Sequence, residues 1–370
     1  YKKVFVCLII YALSVAKKWK RYNGVSVAHY LEDRFGKTVG VFSKMALLFT
    51  MVLFSATYVK SLTLVFMPLF SSVNPWVLSA ALVLLIIVIS IFRGLRSIIR
   101  LDIISFIVVL LFFPAMVLYC YFAPLNQPNA LHLSWSLPYQ SLPTHFVVSL
   151  IVLATLSYVA APWYGQKMFA ARHANIAYIA VFIAAILLFF LYGLGIYATK
   201  LLMQKGVFLK DSQSALPYII HNVLPRWLGL MAYAVIFLVA ATTIASAWNA
   251  MVTIVAKKRQ RLVPVRVAKK SVLLMFLFAG LSLLLSNTIV KDVFSLMWFG
   301  NIPLVSLCFA VLAGFYWKKA SSFGTFVSIL AGIIFGYTYY VLYGDQGDYM
   351  WHWMLVGVPL IFVAGILGSY

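Results

Sequence analysis

The sequence predicts an all-α polytopic membrane protein of about eleven transmembrane helices, on three observations. Apolar residues make up 64% of the 370-residue chain and charged residues only 10%, far outside the range of soluble globular domains. Apolar runs long enough to cross about 30 Å of hydrocarbon recur from one end to the other. The Lys and Arg residues between those runs fall on alternate sides. Of the 29 basic residues, 21 lie in one set of alternating loops, 7 in the other set together with the N-terminus, and Lys60 lies inside a span. Loops rich in Lys and Arg stay cytoplasmic during insertion, so the chain is expected to begin outside and end in the cytoplasm, as a multi-pass protein of a cell membrane such as the bacterial inner membrane.

Taken in order, the first run, Val4–Ala16, has 13 residues, fewer than the roughly 17 a span needs. The first residue is not Met, and the expectation is a chain that starts partway into a longer protein. Met45–Phe70 follows, then Trp76–Phe92 and Ile103–Phe122, separated by Arg93, Arg96 and Arg100. Ala123–His145 carries four Pro and no Asp, Glu, Lys or Arg, as suits an irregular outer cap. The next spans are Phe146–Tyr164 and Ala177–Ala198, and the outer loop after them contains a short helix over Ala215–Val223. Leu228–Val255, Ser271–Val290, Val293–Trp317, Phe323–Tyr343 and Trp353–Leu367 complete the set. The short connections after Val290 and Trp317 make their flanking spans antiparallel neighbours. Trp19, Trp76, Trp163, Trp227, Trp317, Trp351 and Trp353 sit at span ends, as interfacial aromatic belts do.

Several function classes are disfavoured. The net charge of +22 is explained by topology, and no soluble basic module exists to bind nucleic acid. Cys7, Cys120 and Cys308 are isolated and odd in number, which gives neither a disulfide framework nor a metal site. Among seven carboxylates, Glu32, Asp33, Asp211, Asp292, Asp345 and Asp348 fall in loops. Asp102, at a span entry, reads as a paired or solvated boundary charge more readily than as a transport group. No Ser/His/Asp set recurs on one wall, so the chain is not expected to be an enzyme.

Two intramembrane features carry chemistry. Lys60 lies within a span among Ser55, Thr57, Tyr58, Ser61 and Thr63. It either snorkels to the outer interface or faces a cavity, where it would favour an anionic group on a solute. The hydroxyl set in Ala240-Ala-Thr-Thr-Ile-Ala-Ser-Ala-Trp-Asn249 also has two readings. Ser and Thr in membrane helices commonly bond back to a carbonyl one turn earlier. Alternatively, hydroxyls and freed carbonyls supply hard oxygen ligands to a monovalent cation.

Four segments together resemble the sodium:solute symporter family. Tyr22-Asn-Gly-Val-Ser-Val-Ala-His-Tyr-Leu-Glu-Asp-Arg-Phe-Gly36 resembles its T-x-x-E-Y-L-x-x-R-F-G loop, and Gly94-Leu-Arg-Ser-Ile-Ile-Arg-Leu-Asp102 is similar to G-G-L-x-A-V-x-x-T-D. Gln166-Lys-Met-Phe-Ala-Ala-Arg172 resembles Q-R-x-L-A-A-K, and Leu312-Ala-Gly-Phe-Tyr-Trp-Lys-Lys319 with Gly324 resembles L-G-L-F-W-K-R-x-N-x-x-G. The resemblance implies one transporter domain over residues 1–370 with the inverted five-helix repeat of the leucine transporter: core helices two to ten over about 1–317, then two trailing helices over about 323–370. An N-terminal extra helix and core helix one would precede it.

The same resemblance implies a sodium site at Thr242, Thr243 and the Val239 carbonyl. It places an aromatic inner gate at Trp163 or Tyr164, with Ala161 standing where the family has Asp or Asn. Ala245 also replaces a frequent Asp, Ser246 matches a frequent Ser, and Leu101 and Ser105 depart from the family's Thr and Gln. The expected function is import of a small organic solute, a carboxylate or amino acid, by sodium-coupled alternating access, with sodium co-transported and the bilayer as surroundings. Lys60, Tyr58, Trp163, Tyr164 and Ala161 are the candidate solute contacts. Two alternatives are a sensory membrane module of a signalling protein and a proton-coupled transporter.

Overall fold

A computed structural model describes residues 2–22, 24, 26–122, 144–204, 215–255, 269–343 and 347–370. Every regular element among them is helical. Among the described residues, eight helices are long and apolar enough to cross a membrane, or nine where the bent pair counts as one span. The expected cap over Ala123–His145 lies almost wholly outside the described residues.

Helix α1 (Lys2–Tyr11) runs through a π-helical turn, Ala12–Ala16, into α2 (Lys17–Tyr22), so the run that looked short becomes 21 continuous helical residues. Helix α3 (Val27–Phe35) starts at Ser26, whose Oγ accepts the His29 N–H at 3.2 Å, a regular N-cap. It stops at Gly36, whose φ of 90° and ψ of 177° fall in a positive-φ region that essentially only glycine occupies. Helix α4 (Lys37–Phe66) begins immediately afterwards. Gly40 lets it cross α3 closely, since a Cβ there would stand 2.6 Å from Glu32 Cβ.

Helix α5 (Pro75–Phe122) departs from expectation, because Trp76–Phe92 and Ile103–Phe122 belong to one 48-residue helix. The Arg93–Arg100 stretch is helical backbone and not a loop. Its residues other than Gly94 tolerate helix and include no proline. Helices α6 (Thr144–Ala160) and α7 (Pro162–Ala170) bend by 49° at Ala161. Helix α8 (Ala174–Gln204) follows, then α9 (Ala215–Tyr218) with a π turn over Ile219–Val223, together the short helix expected there.

Helices α10 (Arg226–Val255) and α11 (Lys269–Thr288) precede α12 (Val293–Ser306) and α13 (Cys308–Tyr316). The last two form one span interrupted at Leu307, whose N–H bonds the Leu304 carbonyl three residues back at 3.2 Å. Gly300, one turn before Leu304, is helical. It lies against Leu53 of α4, with a Cβ position 3.2 Å from that side chain. The chain ends in α14 (Ser322–Tyr343), α15 (Gly347–His352), a π turn (Trp353–Gly357) and α16 (Val358–Leu367).

Burial sorts the spans. The most apolar windows of α4 and α10 are each 56% buried and that of α12–α13 is 78% buried, against 17% for α8 and 22% for α11. The first three are therefore central and the others line the rim. Helix α4 touches α3, α5, α10, α11, α12 and α14, while α1 packs on α6 and α8. Small residues permit the tightest crossings: a Cβ at Gly332 would stand 2.6 Å from Ser306 Oγ, and one at Gly336 2.5 Å from Ile302. The belt reading fits Trp76 and Trp227, which are exposed, but Trp19 and Trp353 are buried in the bundle.

Candidate functional site

The break at Ala161 follows from Pro162. Proline cannot donate to the Tyr158 carbonyl one turn earlier, so that oxygen takes the Ala161 N–H at 3.2 Å instead. Ala161 adopts an extended conformation (φ −62°, ψ 119°), and α7 restarts with Pro162 in its first turn, where the missing donor costs nothing. One freed carbonyl, that of Val159, is satisfied from outside its helix by the Trp19 indole N–H at 3.3 Å.

Aromatic rings converge on this break. Trp163 stacks on Phe54 of α4, with centroids 4.6 Å apart and planes 10° apart, and Phe54 contacts Tyr58 at 4.7 Å. Tyr164 meets Tyr158 at 5.0 Å, Trp163 at 6.0 Å and Tyr11 of α1 at 5.6 Å. The structure thus brings Tyr58, Trp163 and Tyr164 together beside buried Ala161. Phe54, Tyr158 and Tyr11 were missed in the sequence. Phe54 was detectable, since it precedes Tyr58 by one turn on the same helix face. Tyr11 sits where α1 enters its π turn, a distortion frequent at functional sites. Its buried hydroxyl has no hydrogen-bond partner.

Lys60 lies apart from the rings. Two residues beyond Tyr58, it is rotated by roughly 200° to the other side of α4, and it is half-buried. Its backbone is six residues, about 9 Å, from the end of α4 at Phe66.

The hydroxyl set lies on α10. Thr242 and Thr243 both donate to the Val239 carbonyl, at 3.1 and 2.8 Å. Three oxygens therefore sit around one point, in the arrangement that ordinary back-bonding within a helix also makes. Thr242 is buried, while Val239 and Thr243 are open on one side. Among the described residues no group of three or more His, Cys, Asp or Glu could hold a metal ion. Any cation site here rests on neutral oxygens. A cavity of about 490 Å³ between α4, α5 and α10 lies elsewhere, walled by apolar residues such as Phe66, Val77, Leu82 and Phe237, and suits lipid better than a polar solute.

The four sequence segments meet at the basic end of the bundle. Tyr22 contacts Phe169 at 6.2 Å, and Tyr30 stacks on Phe315 at 4.5 Å. Arg34 donates to the Lys318 carbonyl at 3.1 Å. Asp102 pairs with Lys167 at 3.6 Å, a partly exposed ion pair of small energetic weight. Gln166 of α7 donates to Thr253 of α10 at 2.8 Å.

No family model and no curated protein matches the sequence. Among solved structures, the chain is similar to a Na+-coupled sialic acid symporter in its substrate-bound outward-open state, with 16% identity and a TM-score of 0.72. The likeness covers 99% of this chain and 83% of that one. At that identity it establishes a shared all-helical polytopic fold.

Proposed function

We propose that this chain is a sodium-coupled symporter that imports a small organic solute by alternating access. The observation that carries this reading is the fold likeness, nearly end to end, to a sodium-coupled symporter. The oxygen set at Val239, Thr242 and Thr243 supports it, because an alkali cation carries one charge and needs no carboxylate ligand. Tyr58, Trp163 and Tyr164, with Ala161 at the break, would line the solute pocket. Interrupted helices suit that task, since they present backbone and side chains to a cavity inside the membrane. The solute is a small carboxylate or amino acid. Lys60, on the outer half of α4, attracts its anionic group on approach. The basic loops hold the Trp19 end of the bundle in the cytoplasm.

Uptake into proteoliposomes tests the reading. An inward sodium gradient drives accumulation of the solute, and Thr242→Ala weakens the sodium dependence. Accumulation that ignores sodium but follows a pH gradient would replace sodium by protons. No accumulation of any carboxylate or amino acid, with binding retained, would favour the sensory alternative.

A further inference from the structure

Three consecutive residues of α2 hold both interrupted spans. The Trp19 indole donates to the Val159 carbonyl, in the last turn of α6 beside the break at Ala161. Its ring packs edge-on against Phe169 of α7 at 5.9 Å and Phe315 of α13 at 4.8 Å. Lys20 donates to the Phe169 carbonyl at 3.0 Å, near the end of α7. Lys18 lies over the Tyr316 ring at 4.1 Å, with its amine 3.5 Å from the Phe315 carbonyl, at the end of α13. A Lys at a helix C-terminus satisfies a free carbonyl and meets the negative end of the helix dipole. Lys18 and Lys20 do this for two different helices, and Trp19 fills the space between them with none of its surface exposed.

Tyr30 completes the contact. It touches Trp19 at 5.1 Å and stacks on Phe315, and it fits only because residue 314 is glycine, where a Cβ would stand 2.6 Å from its hydroxyl.

We propose that Lys18-Trp19-Lys20 is a latch that ties the basic ends of α7 and α13 together and that its release opens the path to the cytoplasm. This rests on the alternating-access reading given above. The bonds suit a reversible device. Each joins a side chain to a carbonyl at a helix end or break, so the helices stay intact when it opens. The two lysines are partly exposed, and water replaces the protein acceptor at small net cost. Trp19 is a positioning residue that aligns the two half-helices without touching solute.

Spin labels on Arg172→Cys and Lys319→Cys, both exposed and just beyond α7 and α13, report the separation in detergent or nanodiscs. Cys7, Cys120 and Cys308 are buried. Lys18→Met with Lys20→Met keeps side-chain length and removes the donors. Trp19→Phe keeps a ring and removes the N–H. In sodium-free buffer, both are expected to raise the ratio of long to short separations by about tenfold, the consequence of losing a charge-assisted or buried hydrogen bond. Wild-type distance distributions in both variants would overturn the latch. A sodium titration of the unmutated labelled pair keeps the two readings apart. If sodium leaves its distances unchanged, the cation assignment fails while the latch is still decided by the variants.

Discussion

Thr242 and Thr243 aim their hydroxyl protons at the same Val239 carbonyl, which leaves their oxygen lone pairs for another ligand. A cation that takes all three oxygens must turn both protons away. Removing one hydroxyl should therefore weaken cation binding without disturbing the helix. Thr243→Ala is expected to raise the sodium concentration for half-maximal uptake by about tenfold, the equivalent of one lost polar contact, while Thr243→Ser stays near wild type. An unchanged sodium dependence in Thr243→Ala would reduce the set to back-bonding. Asp292 makes a separate prediction at α12. Burial raises its carboxyl pKa, but bonds from the Ser295 hydroxyl and from the Ser295 and Phe294 backbone outweigh that and hold it below the ordinary value. A carboxyl lowered in the folded state stabilises above its unfolded-state pKa of about 3.9, and that contribution is lost as pH falls through the lower folded value. Asp292→Asn should flatten this part of the acid side of the thermal-unfolding profile. An identical acid slope would show that the cap contributes nothing.

The break between α6 and α7 is the element on which both the ring cluster and the latch depend. Phe146–Tyr164 was expected as one span, although Pro162 inside it removes a specific hydrogen bond. The indole that binds the Val159 carbonyl beside the break was not legible, since Trp19 lies 140 residues from Val159. Pro162→Ala restores an amide proton able to reach the Tyr158 carbonyl. The variant should fold, straighten the pair and lose solute uptake by at least about tenfold. Uptake at the wild-type rate would mean that the break has no part in transport. At the other side of the bundle, Gly336 admits Ile302 and Trp353 to the face of α14. Gly336→Leu should cost about 1–3 kcal/mol by overpacking, read as a lowered unfolding temperature in detergent. An unchanged temperature would show that α14 can move aside freely.

Across the whole molecule, the alternation of basic loops predicts orientation, and labelling of single cysteines checks it. Lys319→Cys should react only with reagent supplied from the cytoplasm and Lys291→Cys only from outside, and the reverse pattern would invert the topology. All eleven expected spans have helical counterparts. The shortest run is completed by a π turn and α2, and Arg93–Arg100 is helical where a loop was expected. The site was less legible. Trp163 contacts Tyr164, and Tyr58 reaches Trp163 only through the unforeseen Phe54, whereas Lys60 lies on another face of its helix and Tyr11 packs on Tyr164. Trp19 shows the limit most clearly. At the end of an apolar run its sequence context is that of a membrane-interface residue, yet it is fully buried among α2, α3, α7 and α13. The sequence by itself determined which segments enter the bilayer and which ends carry the positive charge, because transfer free energy accumulates residue by residue along each helix. Only the tertiary structure decided which faces meet, and so which rings cluster at the break and which lysines reach the ends of α7 and α13. Those contacts join residues a hundred or more positions apart, and no local property of either partner encodes the other.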